Sequence, residues 1–263
     1  MKIVVITGST RGIGFGLAEA FMERGCAVFV SGRAQRGVDA AIDALGPERA
    51  GGAPCDVSDA RAVQALWDDA VKRFGRVDLW INNAGISHPP VPFWELPASV
   101  LDEVVATNVS GMLHGSRVAM VGMRAQPGGG QLFNMEGFGS NGMKRAGMSV
   151  YGATKSALRY FTQSLCKEAK GSTVRVGTVS PGIVMTDLLV RAYDGHPEKL
   201  EEAKRFFNIA ADKVETVAPY LVARMLENDR NGAHIEWLTT GKLMGRFLAA
   251  PFTKRDLFVD APS

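Results

Sequence analysis

The segment Gln131 to Lys155, "QLFNMEGFGSNGMKRAGMSVYGATK", ends in Tyr151-x-x-x-Lys155. Four residues apart on a helix, the two side chains share one face, and an ammonium beside a phenol favours the phenolate. A free tyrosine titrates near ~10, so acid–base work at neutral pH needs such a shift. The pair could pass a proton to or from a carbonyl oxygen. Tyr151 alone would read as an aromatic packed on a helix; a cofactor turn elsewhere in the chain displaces that reading. The strand feeding this helix runs into Glu136 and Gly137, and Ser140 is the nearest hydroxyl. A carboxylate beside the tyrosine would oppose phenolate formation. Glu136 is therefore expected to point away, capping a neighbouring backbone or binding the loop after Thr186, with no catalytic role.

Such a proton donor needs a partner for the electrons, and the first residues suggest one. "VITGSTRGIG" sets Gly8, Gly12 and Gly14 after an apolar strand and before a helix, with Ser9, Thr10, Arg11 and Ile13 between them. A turn of this kind aims backbone amides at a pyrophosphate. The second strand ends in Ser31, Gly32 and Arg33, where a fold preferring NAD would carry an acid for the ribose hydroxyls. Arg33, helped by Arg11, can pair with a 2′-phosphate that a carboxylate would repel, so the expected cofactor is NADP(H). Cys55-Asp56-Val57 follows the weak third strand, and Asn82 with Asn83-Ala84-Gly85 follows the fourth. Both lie where strand ends would line an adenine and ribose crevice.

The elements that must position these residues are legible as short apolar runs between longer stretches of helical period. "KIVVIT", "CAVFVSG", "VDLWINNAG", "GQLFNM", "STVRVGTVSPG" and "AHIEWLT" read as strands. Their near-continuous apolar character fits a parallel sheet covered on both faces, giving an α/β, doubly wound architecture. Helices are expected over Ile13 to Arg24, Ala60 to Phe74, Val100 to Arg124, Val150 to Lys170 and Glu215 to Glu227. A charged excursion over about 186–213, carrying Phe206 and Phe207, interrupts the alternation after the sixth strand as one or two short helices. Excursions at a strand's carboxyl end often cover a binding site.

At 263 residues, 46% hydrophobic, the chain suits one large domain, 1–263, with a tail over about 241–263. A net charge of +3 with scattered basic residues indicates neither nucleic acid nor an anionic membrane as partner. Cys26, Cys55 and Cys166 have no metal-ligand spacing and read as reduced, packed thiols, with no metal expected. "MKIVVITGST" enters a strand directly, and no run is long enough for a transmembrane segment. A cytoplasmic protein is expected, or a plastid one whose targeting segment has been removed.

Over nearly its full length the chain resembles the short-chain dehydrogenase/reductase family. The matching residues are "TGSTRGIG" (7–14), "CDV" (55–57), "NNAG" (82–85), Asn108, "YGATK" (151–155) and "SPGIVMT" (180–186). The resemblance implies a Rossmann-type domain in which Tyr151 donates the proton and Lys155 holds the nicotinamide ribose. It further implies that Asn108 positions a relay water and that Pro181, Gly182, Ile183 and Thr186 contact the nicotinamide amide. Most relatives carry two serines where Glu136 and Gly137 stand, the second about thirteen residues before the tyrosine, the place of Phe138 here. An acid followed by Gly-x-Gly-Ser is similar to one branch, the chlorophyll(ide) b reductases, as are "DLWINNAG", "GGGQLFNMEGFGS", "SPGIVMTDLL" and "ETVAPYLVARM".

That branch implies reduction of a formyl group on a tetrapyrrole to hydroxymethyl with NADPH, Ser140 replacing the usual serine as second donor. Against it stands Ser140 as a turn cap, with backbone amides or Asn141 polarising the carbonyl. Phe93, Trp94, Phe138, Met143, Met148, Phe206 and Phe207 could floor a wide apolar pocket, or pack in the core. The tail could lie on a membrane surface as a peripheral contact, or pack between subunits of the homodimer or homotetramer the family implies. Two other functions compete: reduction of another hydrophobic aldehyde, ketone or 3-oxoacyl compound, and a non-catalytic NADP-sensing or scaffold role.

Overall fold

The computed structural model describes residues 1–253 and 255–258. Strands β1 (Ile3–Ile6) and β2 (Ala27–Gly32) are joined by helix α1 (Gly12–Glu23). Next come α2 (Gln35–Leu45), β3 (Ala50–Pro54), α3 (Ala60–Phe74) and β4 (Leu79–Asn82). A single 3-10 turn at Phe93–Glu95 precedes α4 (Ala98–Val105), a π-helical turn (Ala106–Ser110), α5 (Gly111–Ala125) and β5 (Gly130–Met135). Helix α6 (Ser149–Glu168) leads to β6 (Val174–Ser180). The chain ends in β7 (Ile183–Val184), α7 (Asp187–Arg191), α8 (Pro197–Ala210), β8 (Ala211–Asp212), α9 (Val214–Glu227), β9 (Ala233–Glu236) and α10 (Thr240–Ala249).

Among the described residues the main sheet has seven strands in the order β3-β2-β1-β4-β5-β6-β9, every pair parallel. The expected doubly wound sheet is present, and its strand order reverses between β1 and β4, where a crevice opens at the carboxyl ends. Each face is buried. Leu17, Phe21, Leu221, Val222 and Met225 of α1 and α9 cover one side, Leu66, Trp67, Val118 and Met123 of α3 and α5 the other. The inner strands β1, β4 and β5 are buried along their whole length, which is why apolar residues dominate them.

Three features depart from the expected elements. Helix α2 was not anticipated, although Val38, Ala41, Ile42 and Leu45 recur at helical spacing, because Gly37 interrupts the signal. The helix expected over Val100 to Arg124 is broken by the π turn, and this extra turn carries Asn108. Asn82 is the buried last residue of β4 and does not line a crevice. Its side chain accepts from Trp80 Nε1 at 2.8 Å and donates to Asn134 Oδ1 at 2.8 Å and Ser116 Oγ at 3.0 Å. Asn134 in turn donates to Thr162 Oγ1 at 2.9 Å, so one buried polar chain ties β4 and β5 to α5 and α6.

The excursion after β6 contains two helices, α7 and α8, closed at the base by the two-residue parallel ladder β7–β8. In the tail, Thr240 to Ala249 forms α10, whereas Lys254 and residues 259–263 lie outside the described residues. Among the described residues no helix is long and apolar enough to cross a membrane.

Candidate active site

The glycine turn is clamped between the ends of β2 and β4. Gly8 takes φ +63°, and a Cβ there would stand 2.8 Å from Ala84 Cα, so only glycine lets the turn lie against the loop after β4. Ser9 N donates to Ser31 O at 2.8 Å and Ser31 N to Ser9 Oγ at 3.0 Å, which makes both serines tethers of the turn. Thr7 Oγ1 accepts the amides of Asn83 and Ala84, each at 3.1 Å, and Asn83 Nδ2 donates to the carbonyls of Thr7 and Gly8, each at 2.9 Å. Phe15 N is the first amide of α1 to reach a helical carbonyl, that of Arg11 at 3.3 Å. The first turn has no acidic residue and no side-chain cap. The amides of Gly12, Ile13 and Gly14 form a bare helix N-terminus, the arrangement that suits an anion.

Around this turn stand the other residues singled out. Thr10 packs against Gly32, and Thr186 against Gly12, so the start of the excursion reaches the turn. Arg11 makes a long ion pair with Asp187 (3.7 Å), and Arg33 one with Glu103 (3.4 Å); all four are open to solvent to some degree, and the arginines most of all. Asp56 accepts the amide and hydroxyl of Ser58 at 2.9 and 2.7 Å, bonds that hold its carboxyl below the usual range, with Arg33 adding to the effect. Cys55 is buried, and burial pushes its thiol up to about 11, so it packs and does not react. Val57 is buried too, its carbonyl 3.1 Å from His114 Nδ1. Pro181 is buried, while Gly182, at φ +72°, and Ile183 remain half-buried on the way to Thr186.

The segment after β5 holds the titratable groups. Lys155 is buried and donates to Met135 O at 3.0 Å, with Nζ 5.8 Å from the centre of the Tyr151 ring. A Cβ on Gly137 would stand 2.5 Å from the Tyr151 hydroxyl and 3.2 Å from Lys155 Cε. Glycine at 137 thus makes the space the phenol occupies. Burial pushes Tyr151 up to about 12 and Lys155 down to about 8, Glu136 opposing the fall at Lys155. The expected drop in the phenol is absent here: desolvation raises its pKa, and the tyrosine keeps its proton.

Asn108 sits where the π turn aims it at the loop after Gly85. Its Oδ1 accepts Ile86 N at 2.8 Å, and its Nδ2 donates to Ile86 O at 2.9 Å and Thr154 Oγ1 at 3.1 Å. A Cβ on Gly85 would lie 3.4 Å from Asn108 Oδ1 and 3.7 Å from Lys155 Nζ, which places Gly85, Asn108 and Lys155 together. Ser140 is buried, accepts Gly137 N at 3.2 Å and donates to Lys155 O at 3.2 Å. Its proton is engaged by a carbonyl of α6.

Glu136 neither caps a backbone nor meets the loop after Thr186. It lies 3.8 Å from Arg159 Nη1 and 3.7 Å from His234 Nδ1, at the back of a cleft of about 440 Å³ also lined by Tyr160, Gln163 and Thr178. The side chain of Met135, the last residue of β5, packs into the core under α1 and α9, so alternation turns the next side chain, Glu136, to the opposite face, toward Arg159 and His234. Of the aromatic and methionine set, Phe207 belongs to a small core with Tyr193, Ala203 and Leu257, so it is packing. Phe93, Trp94, Met143 and Phe206 are exposed, and Phe138 and Met148 half-buried. Sequence reading missed His88, which is buried and bonded to Tyr151 N at 3.2 Å; a lone histidine in a loop carries no pattern to find it by.

A glycine turn, a switch-point crevice and a Tyr–Lys pair on one parallel sheet define a nucleotide-dependent oxidoreductase architecture. Residues 2–196 match the model of the short chain dehydrogenase family, and the chain belongs to that family. It is 36% identical over 260 residues to a probable chloroplastic chlorophyll(ide) b reductase of Arabidopsis thaliana, covering 92% of this chain and 51% of that protein. With a chloroplastic chlorophyll(ide) b reductase of Oryza sativa subsp. japonica it shares 36% over 258 residues, 94% of this chain and 74% of the relative. The chain therefore spans about half the length of the first relative and three quarters of the second. Among solved structures, the closed form of serine dehydrogenase complexed with NADP+ superposes with a TM-score of 0.81 at 26% identity, covering 91% of this chain and 95% of that one.

Proposed function

We propose that this short-chain oxidoreductase is an NADPH-dependent carbonyl reductase acting on a chlorophyll(ide) b-like tetrapyrrole, whose formyl group becomes hydroxymethyl. The observation that carries the reading is the convergence of Tyr151, Lys155, Asn108 and Gly85 beside the bare amides of Gly12 to Gly14. Those amides and the left-handed Gly8 and Gly12 fit a dinucleotide's phosphates, and exposed Arg11 and Arg33 fit a 2′-phosphate. The two chlorophyll(ide) b reductases at 36% identity support the substrate class.

A bound nicotinamide supplies the hydride. Tyr151, kept protonated by burial, gives its proton to the carbonyl oxygen, which suits the reductive direction. Lys155, fixed by Met135 O, places a cation beside the phenol and stabilises the phenolate left behind. Asn108 keeps the Ile86 loop in register with α6, and the second lone pair of its Oδ1 is the place for a relay water. Exposed Phe93, Trp94, Met143 and Phe206 offer apolar surface for a flat macrocycle. Exposed Val121 on α5 and Tyr160 on α6 support pairing of subunits through these helices.

The test is direct. Chlorophyllide b with NADPH should change the pigment's absorbance, and Tyr151→Phe should lower the rate by roughly 10²- to 10⁴-fold. Oxidation of NADPH by other hydrophobic aldehydes with no change in the pigment would overturn the tetrapyrrole assignment and keep the reductase. Tight NADPH binding with no turnover of any carbonyl would overturn both.

A further inference from the structure

His88 is 2% exposed and touches the first turn of α6 from a loop 63 positions earlier in the chain. Its Nε2 receives Tyr151 N–H at 3.2 Å, and its Nδ1 lies 2.8 Å from Pro89 O. An amide can only donate and a carbonyl can only accept, so one neutral form satisfies both, with the proton on Nδ1 and the lone pair on Nε2. Tyr151 is the third residue of α6, where a helix leaves its amides without carbonyls of their own. Met148, at the N-cap position, provides no side-chain bond, and the first helical bond is Gly152 N to Met148 O at 2.9 Å.

The same loop is anchored at every second residue. Ile86 exchanges both backbone groups with Asn108, His88 takes Tyr151 N, and Pro90 O accepts Lys199 Nζ of α8 at 3.0 Å. Residues 86, 88 and 90 thus join the asparagine of the π turn, the tyrosine helix and the excursion over the site.

We propose that His88 is a positioning residue, a helix cap supplied from outside α6 that fixes the backbone of Tyr151 and couples it to Asn108 and to α8. The histidine does not touch the reacting atoms. It acts through Tyr151, and the step from position to turnover rests on the reductase reading above. Glutamine at 88 can offer an acceptor oxygen in place of Nε2; phenylalanine fills the ring's volume and offers none.

Two measurements separate this from a packing role. In the ¹⁵N-labelled chain, His88→Phe should speed hydrogen exchange of the Tyr151 amide by roughly five- to thirtyfold while β1 amides stay unchanged, and His88→Gln should restore it. Unchanged exchange at Tyr151 in His88→Phe overturns the cap. With NADPH and chlorophyllide b, His88→Phe should lower kcat on the order of tenfold with KM for NADPH unmoved, and His88→Gln should recover most of the loss. Faster exchange with parental kcat overturns the positioning role. If the parent itself turns over no carbonyl, the reductase reading falls and the exchange arm alone decides the cap. Should His88→Phe fail to fold, His88→Leu takes its place in both arms.

Discussion

Asp212 and Glu136 are carboxylates buried to nearly the same depth, 5% and 4% exposed, in surroundings of opposite kind. Asp212, at the base of the excursion, accepts Trp237 Nε1 at 2.6 Å, Arg246 Nη2 at 3.0 and 2.7 Å, and Arg255 Nη2 at 3.0 Å. Glu136, at the end of β5, has an oxygen with no hydrogen bond, and its charged neighbours Arg159 and His234 stand 3.8 and 3.7 Å away. A carboxylate whose lone pairs are filled fastens elements together, here β8 to β9, α10 and the tail. One left under-bonded keeps its field for other groups, and Lys155 is among those that feel it. The first region is built for stability and the second for electrostatics.

Breaking the first region should have the largest effect. Asp212→Ala strands two guanidiniums at a buried site and should destabilise the chain by about 3 kcal/mol, read from chemical denaturation. A loss as small as that of an exposed pair would erase the contrast. Arg33 offers the solvated counterpart, since its partner Glu103 is exposed as well. Arg33→Ala should leave stability unchanged and lower the preference for NADPH over NADH by about tenfold in kcat/KM.

Glu136→Gln sharpens the comparison from the other side. Stability should stay within about 1 kcal/mol of the parent, because few bonds are lost. The pH profile should move instead. Lys155, lowered to about 8, is protonated below that value and loses its charge as pH rises through it, so kcat/KM of the parent should fall above about 8. Glu136 raises Lys155, so its removal should bring that alkaline fall roughly one unit lower. An unmoved profile would show that the carboxylate's field does not reach the site. Smallest of all, Ser140→Ala should change turnover by no more than about threefold, because its proton serves Lys155 O. A loss of roughly a hundredfold or more would place that hydroxyl on the substrate.

How much could be read beforehand follows from how each signal is encoded. The apolar runs that became β1, β2, β4, β5, β6 and β9 are local, and so are the glycine turn and the Tyr151–Lys155 spacing. Strand β3, "AGGAP", has no large apolar side chain and exists because β2 offers it a paired edge over five residues. The π turn that aims Asn108 lies inside an unbroken helical period, where no residue type announces it. Ser31 reads as a cofactor residue at a strand end, and that its backbone also holds Ser9 is nowhere legible in its neighbours. Glu136 and Ser140 were ambiguous because a side chain's partner, when it lies on another element, leaves no mark on its own neighbours in sequence.

By itself the sequence determined a parallel α/β sheet, a glycine turn after β1 and a tyrosine and lysine on one helical face. These depend on hydrophobic period, glycine's backbone freedom and the i, i+4 geometry of a helix, all of which act over a few residues. Tertiary structure decided which buried polar groups are satisfied and by whom: Asp212 by two arginines, Glu136 by nothing close, and Tyr151 N by His88. Desolvation and hydrogen bonding depend on what the whole fold brings within about 3 Å, so the proton affinities at the site became readable only once the sheet had closed around it.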